Sequence, residues 1–306
     1  MWSVNADDPI AGARAWTTHI RGMRWCGEPS GMVHSLLVHH AADIDATIGE
    51  APSSDVRAGL LRAEAEALIT AGNVSFFDMG AHGTAEREFK SAMRCARHSD
   101  DMRLCGWVFA NQSALDIYRH APDDAVLAAD AGMEYTKANP LLSADVLKMR
   151  AEAHAVNGDM VRALRDIDNT REAFRDATPE DTPEWLSSDS KTSVDVGRID
   201  GMEGAVWLRL NRPHNAVAPL RRALNANPGN RSYAIVLHAD LSIALGRIGE
   251  PDEAVRVLLP VLPVAASTHS VERRARVQAA WRAVEPYNTS ATRALRDRLR
   301  LYHLAA

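Results

Sequence analysis

Residues Ala153 to Phe174 read AHAVNGDMVRALRDIDNTREAF, and this stretch constrains the fold more than any other. It predicts one helix ending at Asn157-Gly158 and a second beginning at Asp159. Gly158 suits the left-handed residue that closes a helix. Asp159 can accept hydrogen bonds from the free amides of the helix that follows. Ala163, in the first turn of that second helix, is small enough for the two helices to touch. A hairpin of this kind cannot bury its apolar stripe alone, so it requires similar neighbours.

The chain supplies them. A helix closing near a Gly or Pro turn, with an Ala early in the next helix, recurs at Ala85, Ala125, Ala163, Ala216 and Ala254, at spacings of 40, 38, 53 and 38. Twelve residues before each alanine stand Asn73, Ser113, Ala151, Gly204 and Ser242, all small. Four residues after each stand Phe89, Ala129, Ile167, Leu220 and Leu258, all apolar. Small residues at two fixed places let paired helices approach, and the later position packs between units. The expected fold is therefore all-α: a right-handed superhelix, or solenoid, of tetratricopeptide-like helical hairpins. Its periods exceed the roughly 34 residues of a tetratricopeptide unit. The long spacing holds a surplus within Thr178–Ser190, TPEDTPEWLSSDS, whose prolines and acids predict a loop. Such insertions gather on one face of an array, often the binding face, although a solvated connector explains the segment equally.

Flanking helices complete the chain. Asp8-Pro9 starts one that runs to about Trp25, a second covers Gly31–Ile48, and a third runs from Asp55 to about Asp78, ending at Gly80. Residues 1–54 are thus expected to form a helical N-terminal cap, 55–268 the hairpin array and 269–306 two closing helices. Ser270–Ala306 holds eight Arg and three acids, a local +5, so the rest of the 306-residue chain carries −10 of the net −5. The basic segment reads as a polar, solvated capping face or as a surface for an acidic partner. The overall acidic balance disfavours non-specific nucleic-acid binding. Cys26, Cys95 and Cys105 are odd in number and form no C-x-x-C pair, which suits reduced core cysteines in a cytoplasmic protein. The acidic N-terminus lacks the pattern of a signal peptide, and no apolar run is long enough to span a membrane.

Several segments together resemble a known family. AEALITAGNVSFFDMGAHGTAEREFKSAMRCARHSDD, ANQSALDIYRHAPDDAV, DTPEWLSSDS, SYAIVLHADLSIALGRIGEPDEAVRVLLPVL and SVERRARVQAAWRAV occur in an order similar to that in the tetratricopeptide-type C-terminal region of actinobacterial Xre-type helix-turn-helix regulators. The resemblance covers Ala63 to Leu299, about three quarters of the chain. It implies the sensing or partner-binding half of such a regulator, acting in secondary metabolism or development. Family members carry a DNA-reading helix-turn-helix of roughly 60 residues ahead of this region. Met1–Ser54 shows no such recognition pattern, so direct DNA binding is not expected.

In a hairpin array the first helix of each pair lines the concave surface. The candidates to face that groove are Trp107, Asn111, Tyr118, Lys148, Glu152, Arg198, Trp207, His238 and Asp240, with Trp185 on the inserted loop. An aromatic–amide–aromatic stripe such as Trp107–Asn111–Tyr118 can hold a ligand or a peptide side chain. Packing between hairpins explains Trp107 and Tyr118 as readily. Lys148 and Arg198 can pair with a ligand carboxylate or with neighbouring acids such as Glu152 and Asp195. His34, His39 and His40 share a helix, but metal ligands prefer spacings of three or four, so scattered histidines are the plainer reading. No phosphate-loop, dinucleotide, zinc-protease or nucleophile-elbow motif occurs.

These features predict a non-enzymatic module that recognises a small molecule, peptide or protein partner in its groove, without cofactor or metal, in a monomer or homodimer. A biosynthetic enzyme recruited from the same scaffold is the alternative, because fold alone does not decide function.

Overall fold

The computed structural model describes residues 8–183, 196–226 and 231–304. Every element in them is helical. The chain opens with α1 (Pro9–Cys26), α2 (Ser30–Ile48) and α3 (Ser54–Asn73). Five hairpins follow through α4 (His82–His98), α5 (Arg103–Tyr118), α6 (Pro122–Thr136), α7 (Pro140–Val156), α8 (Met160–Asp176), α9 (Val196–Arg209), α10 (Pro213–Ala226), α11 (Arg231–Arg247) and α12 (Pro251–Leu258), α3 with α4 forming the first. The short α13 (Leu262–Ser267) leads to α14 (Val271–Val284) and α15 (Ser290–Leu301). The fold is a solenoid of tetratricopeptide-like hairpins.

The turn chemistry works as the residues dictate. Gly158 takes φ +77°, and Asp159 accepts from the Arg162 amide at 3.0 Å. Asp8 caps α1 through the Ala11 amide at 2.9 Å. All five turn alanines are fully buried. At Gly204 an added Cβ would stand 2.4 Å from Cγ of Leu220, so the glycine is what lets α9 and α10 close.

The first hairpin departs from the expected register. There Gly72, not Asn73, meets the apolar partner: a Cβ on Gly72 would lie 2.4 Å from Cε1 of Phe89. The cause is a π-helical turn, Val74–Asp78, at the end of α3. A π turn holds one extra residue, which shifts the small position back by one and rotates Asn73 towards the concave side.

The inner helices α5, α7, α9, α11 and α14 each pack on the next, and α14 returns to the π turn. The expected open trough is therefore closed into a ring. The expectation of α14 as a solvated cap is corrected accordingly. Its last two turns place Val277, Ala280, Trp281 and Val284 in the C-terminal apolar core. Its first turns face inward with charge. The reason lies in spacing: Glu272, Arg273 and Arg276 share the face next to that apolar stripe.

Candidate functional site

Closure leaves a cavity of about 260 Å³ at the centre of the ring. Each inner element contributes to its wall. From α5 come Trp107, Asn111 and Tyr118; from α7 come Lys148, Met149 and Glu152. The wall continues through Arg198 and Met202 of α9 and Tyr233 and Asp240 of α11. Glu272, Arg273 and Arg276 of α14 complete it, with Arg24, Asn73 and Phe77 from the N-terminal third.

Aromatic rings form the apolar surfaces. Trp107 is buried, and Asn111 donates to its carbonyl at 2.8 Å, which fixes the amide against the helix. Tyr118 stands edge-on to Phe76 and Phe77, with centroids 5.1 and 6.3 Å apart. The guanidinium of Arg198 lies 4.1 Å from the centroid of the Tyr233 ring, a cation–π contact.

Ionised groups form the polar surfaces, and they are paired. Arg276 donates to both oxygens of Asp240 at 2.7 Å, to Glu272, and to the Tyr118 hydroxyl at 2.5 Å. Tyr118 in turn donates to Glu272 at 3.0 Å. Burial opposes the charge on Arg276, but Asp240, Tyr118 and Glu272 override it and raise its pKa. Burial raises Asp240, with Arg276 opposing, and burial likewise pushes the Tyr118 hydroxyl up, so it stays protonated as a donor. Glu152 accepts from Arg209 at 3.0 Å, and Lys148 reaches Asp145 at 2.5 Å. Arg24 and Arg273 converge on Asp78, at 2.5 and 3.3 Å. Burial, then the nearby Arg24 charge, lowers the pKa of Arg273. Asn73 Oδ1 is also buried and accepts no hydrogen bond from the described residues.

The Tyr118–Arg276–Asp240–Glu272 network is also a partition. On its other side lies a second cavity of about 420 Å³, whose walls include Phe76, His82, Leu208, Ile243 and Val271. The four network residues and Ala205 line both spaces.

Seven of the residues anticipated from sequence meet around the central cavity: Trp107, Asn111, Tyr118, Lys148, Glu152, Arg198 and Asp240. Two do not. Trp207 turns half-buried along α9, its indole N–H 3.4 Å from Glu203. His238 points outward to α12, where Nδ1 lies 2.6 Å from the Val257 carbonyl oxygen. Both lie on inner helices but on the flank facing the paired helix. Trp185 and most of the Thr178–Ser190 loop lie outside the described residues. The histidines of α2 go three ways: His34 to Glu88 at 2.5 Å, His39 to its own helix carbonyl at Ser35, and buried His40 to the Ala13 carbonyl. Among the described residues no three metal-ligating side chains gather, and no helix is long and apolar enough to cross a membrane.

Sequence reasoning missed Arg24, Phe77, Tyr233, Glu272, Arg273 and Arg276. For α14 the signal was present as acid and arginine at spacing one and four on one face. Nothing local marked Arg24, which reaches the wall from α1 through its bond to Asp78.

No protein-family model matches the chain, and no curated protein matches it. Among solved structures the chain is similar to the crystal structure of the P58(IPK) TPR domain, at 14% identity and a TM-score of 0.28, over 97% of this chain and 80% of that one. A superposition so loose adds nothing to the hairpin geometry already described.

Proposed function

We propose that this protein is a helical-repeat binding module that holds a small organic molecule in its central cavity. The observation that carries the reading is the closure of the trough by α14. An open groove suits an extended peptide; a space of about 260 Å³ bounded on one side by α14 and open to solvent at its mouth suits a compact ligand. Such a ligand would set a planar or apolar part against Trp107, Phe77 and Tyr118.

Catalysis finds less support. The described residues lining the cavity include no Ser, Thr, Cys or His, so it offers no hydroxyl or thiol nucleophile paired with an imidazole base. Its carboxylates are each engaged by a cation. In keeping with the resemblance to Xre-type regulators, the bound molecule would act as a signal, with a protein partner reading the state of the array from outside.

Thermal-shift screening of metabolite extracts tests this. A ligand should raise the melting temperature without turnover. Ala114 lies on the α5 wall of the cavity between Asn111 and Tyr118, and Ala114→Phe, which fills the space without breaking an ion pair, should abolish the shift. A shift that survives Ala114→Phe, or one produced only by peptides, would overturn the proposal.

A further inference from the structure

The charges around the central cavity are paired but not evenly matched. On the α11 side Arg276 is one cation for two carboxylates, Asp240 and Glu272. Both oxygens of Asp240 accept from Arg276, and Glu272 also accepts from Tyr118, so these acids are satisfied while the excess charge is negative. On the α1 side the ratio is reversed. Among the described residues Arg24 and Arg273 are two cations on one carboxylate, Asp78. The sign of the excess therefore changes along α14 within one turn, between Arg276 and Arg273.

Depth sorts the second group further. Asp78 is 3% exposed and lies behind the wall, whereas Arg24 and Arg273 line the cavity. A molecule in the space meets the two arginines before it meets the acid they share. Arg24 is oriented by the Asn73 carbonyl, to which Nη2 donates at 3.4 Å. Burial and the Arg24 charge disfavour the protonated form of Arg273, with Asp78 and Glu272 opposing; a second anion beside the pair would add to that opposition. Phe77, next to Asp78 in the π turn, also lines the cavity and sets an apolar surface near the arginines. Guanidiniums so placed suit a carboxylate, which they bind through paired N–H donors.

We infer that the ligand of the central cavity is a small organic anion, its carboxylate seated on Arg24 and Arg273 and its aromatic or apolar body on Phe77 and Trp107. The inference rests on the cavity being the binding site and names the chemistry of what it takes. The acid excess around Arg276 repels the carboxylate and so fixes which way round the molecule lies. Because the cavity opens to solvent, the ligand reaches the arginines directly.

Three probes of one shape separate charge from fit: 2-naphthoate, 2-naphthamide and 2-naphthylmethylammonium, each titrated calorimetrically into the full chain, with Ala114→Phe to identify binding in the cavity. Naphthoate should bind about tenfold tighter than the amide, the worth of one charge-assisted hydrogen bond, and the ammonium should bind weakest. Arg24→Gln and Arg273→Gln should each erase the preference for the acid. Arg273→Lys, which keeps the charge, should retain it, and this separates a role in charge from one in folding. Equal affinity for acid and amide, tighter binding of the ammonium, or a preference that survives both Gln variants overturns the inference and leaves the binding reading standing. If none of the three enters the cavity, the binding reading fails for such molecules, and inorganic phosphate decides the anion site by itself. Replacing chloride with phosphate at matched ionic strength should raise the melting temperature of the wild-type chain more than that of Arg24→Gln. An equal rise in both overturns the inference.

Discussion

Asp116 shows how a single residue sets a pH dependence. It is buried near the end of α5, and burial, opposed by Arg119, raises its pKa from 3.8 to about 6. Its folded-state pKa lies above its unfolded one, so the fold binds the proton more tightly. Stability therefore falls as pH rises from about 4 to 6, and the penalty is complete above that. Asp116→Asn should raise the melting temperature at pH 8 by about 2 °C and leave it unchanged at pH 3.5. Thermal melts at both pH values check the sign. Cys95 gives a second residue-level expectation. Burial, with Glu64 adding to it, pushes its thiol up to about 12. It should stay unalkylated by iodoacetamide at pH 8 while exposed Cys26 reacts; peptide mapping reads the difference.

At the scale of elements, the hairpin is the unit that could be read in advance. Gly158, Asp159 and the five alanines carry their geometry locally, through a left-handed φ, a capping carboxylate and the lack of bulk. Gly204→Ala should cost about 1–3 kcal/mol, because the new methyl meets Leu220 in a packed core; chemical denaturation measures it. Asn73 marks where this reading stopped. Its spacing from Ala85 matched the other small positions, yet the π turn moved the role to Gly72 and gave Asn73 to the cavity. Propensity does not announce a π turn, since it exists to satisfy packing between α3, α4 and α14. Trp207 and His238 make the same point. Membership of an inner helix was legible, but which flank faces the ring centre depends on the angle between neighbouring hairpins.

At the scale of the molecule, closure couples parts distant in sequence. In an open solenoid each unit touches only its neighbours and the ends are energetically independent. Here Asp78 and Arg273 stand 195 positions apart and share an ion pair. A double-mutant cycle of Asp78→Asn and Arg273→Gln should give a coupling of about 0.5–3 kcal/mol; additivity would mean that the ring is not closed in solution. Closure is also why the cavity was only half visible beforehand. Residues from α5, α7, α9 and α11 follow from the repeat, whereas Glu272, Arg273 and Arg276 join only because the far end of the chain comes round.

That return path sets a limit on how the architecture can change. Linear arrays tolerate an added or lost unit, since a new pair merely extends the stack. In this chain one more pair would carry α14 about 10 Å past the π turn, and Ser270 and Arg273 would find nothing to hold. The number of hairpins is thereby fixed by the circumference, much as the number of staves is fixed by the hoop of a cask.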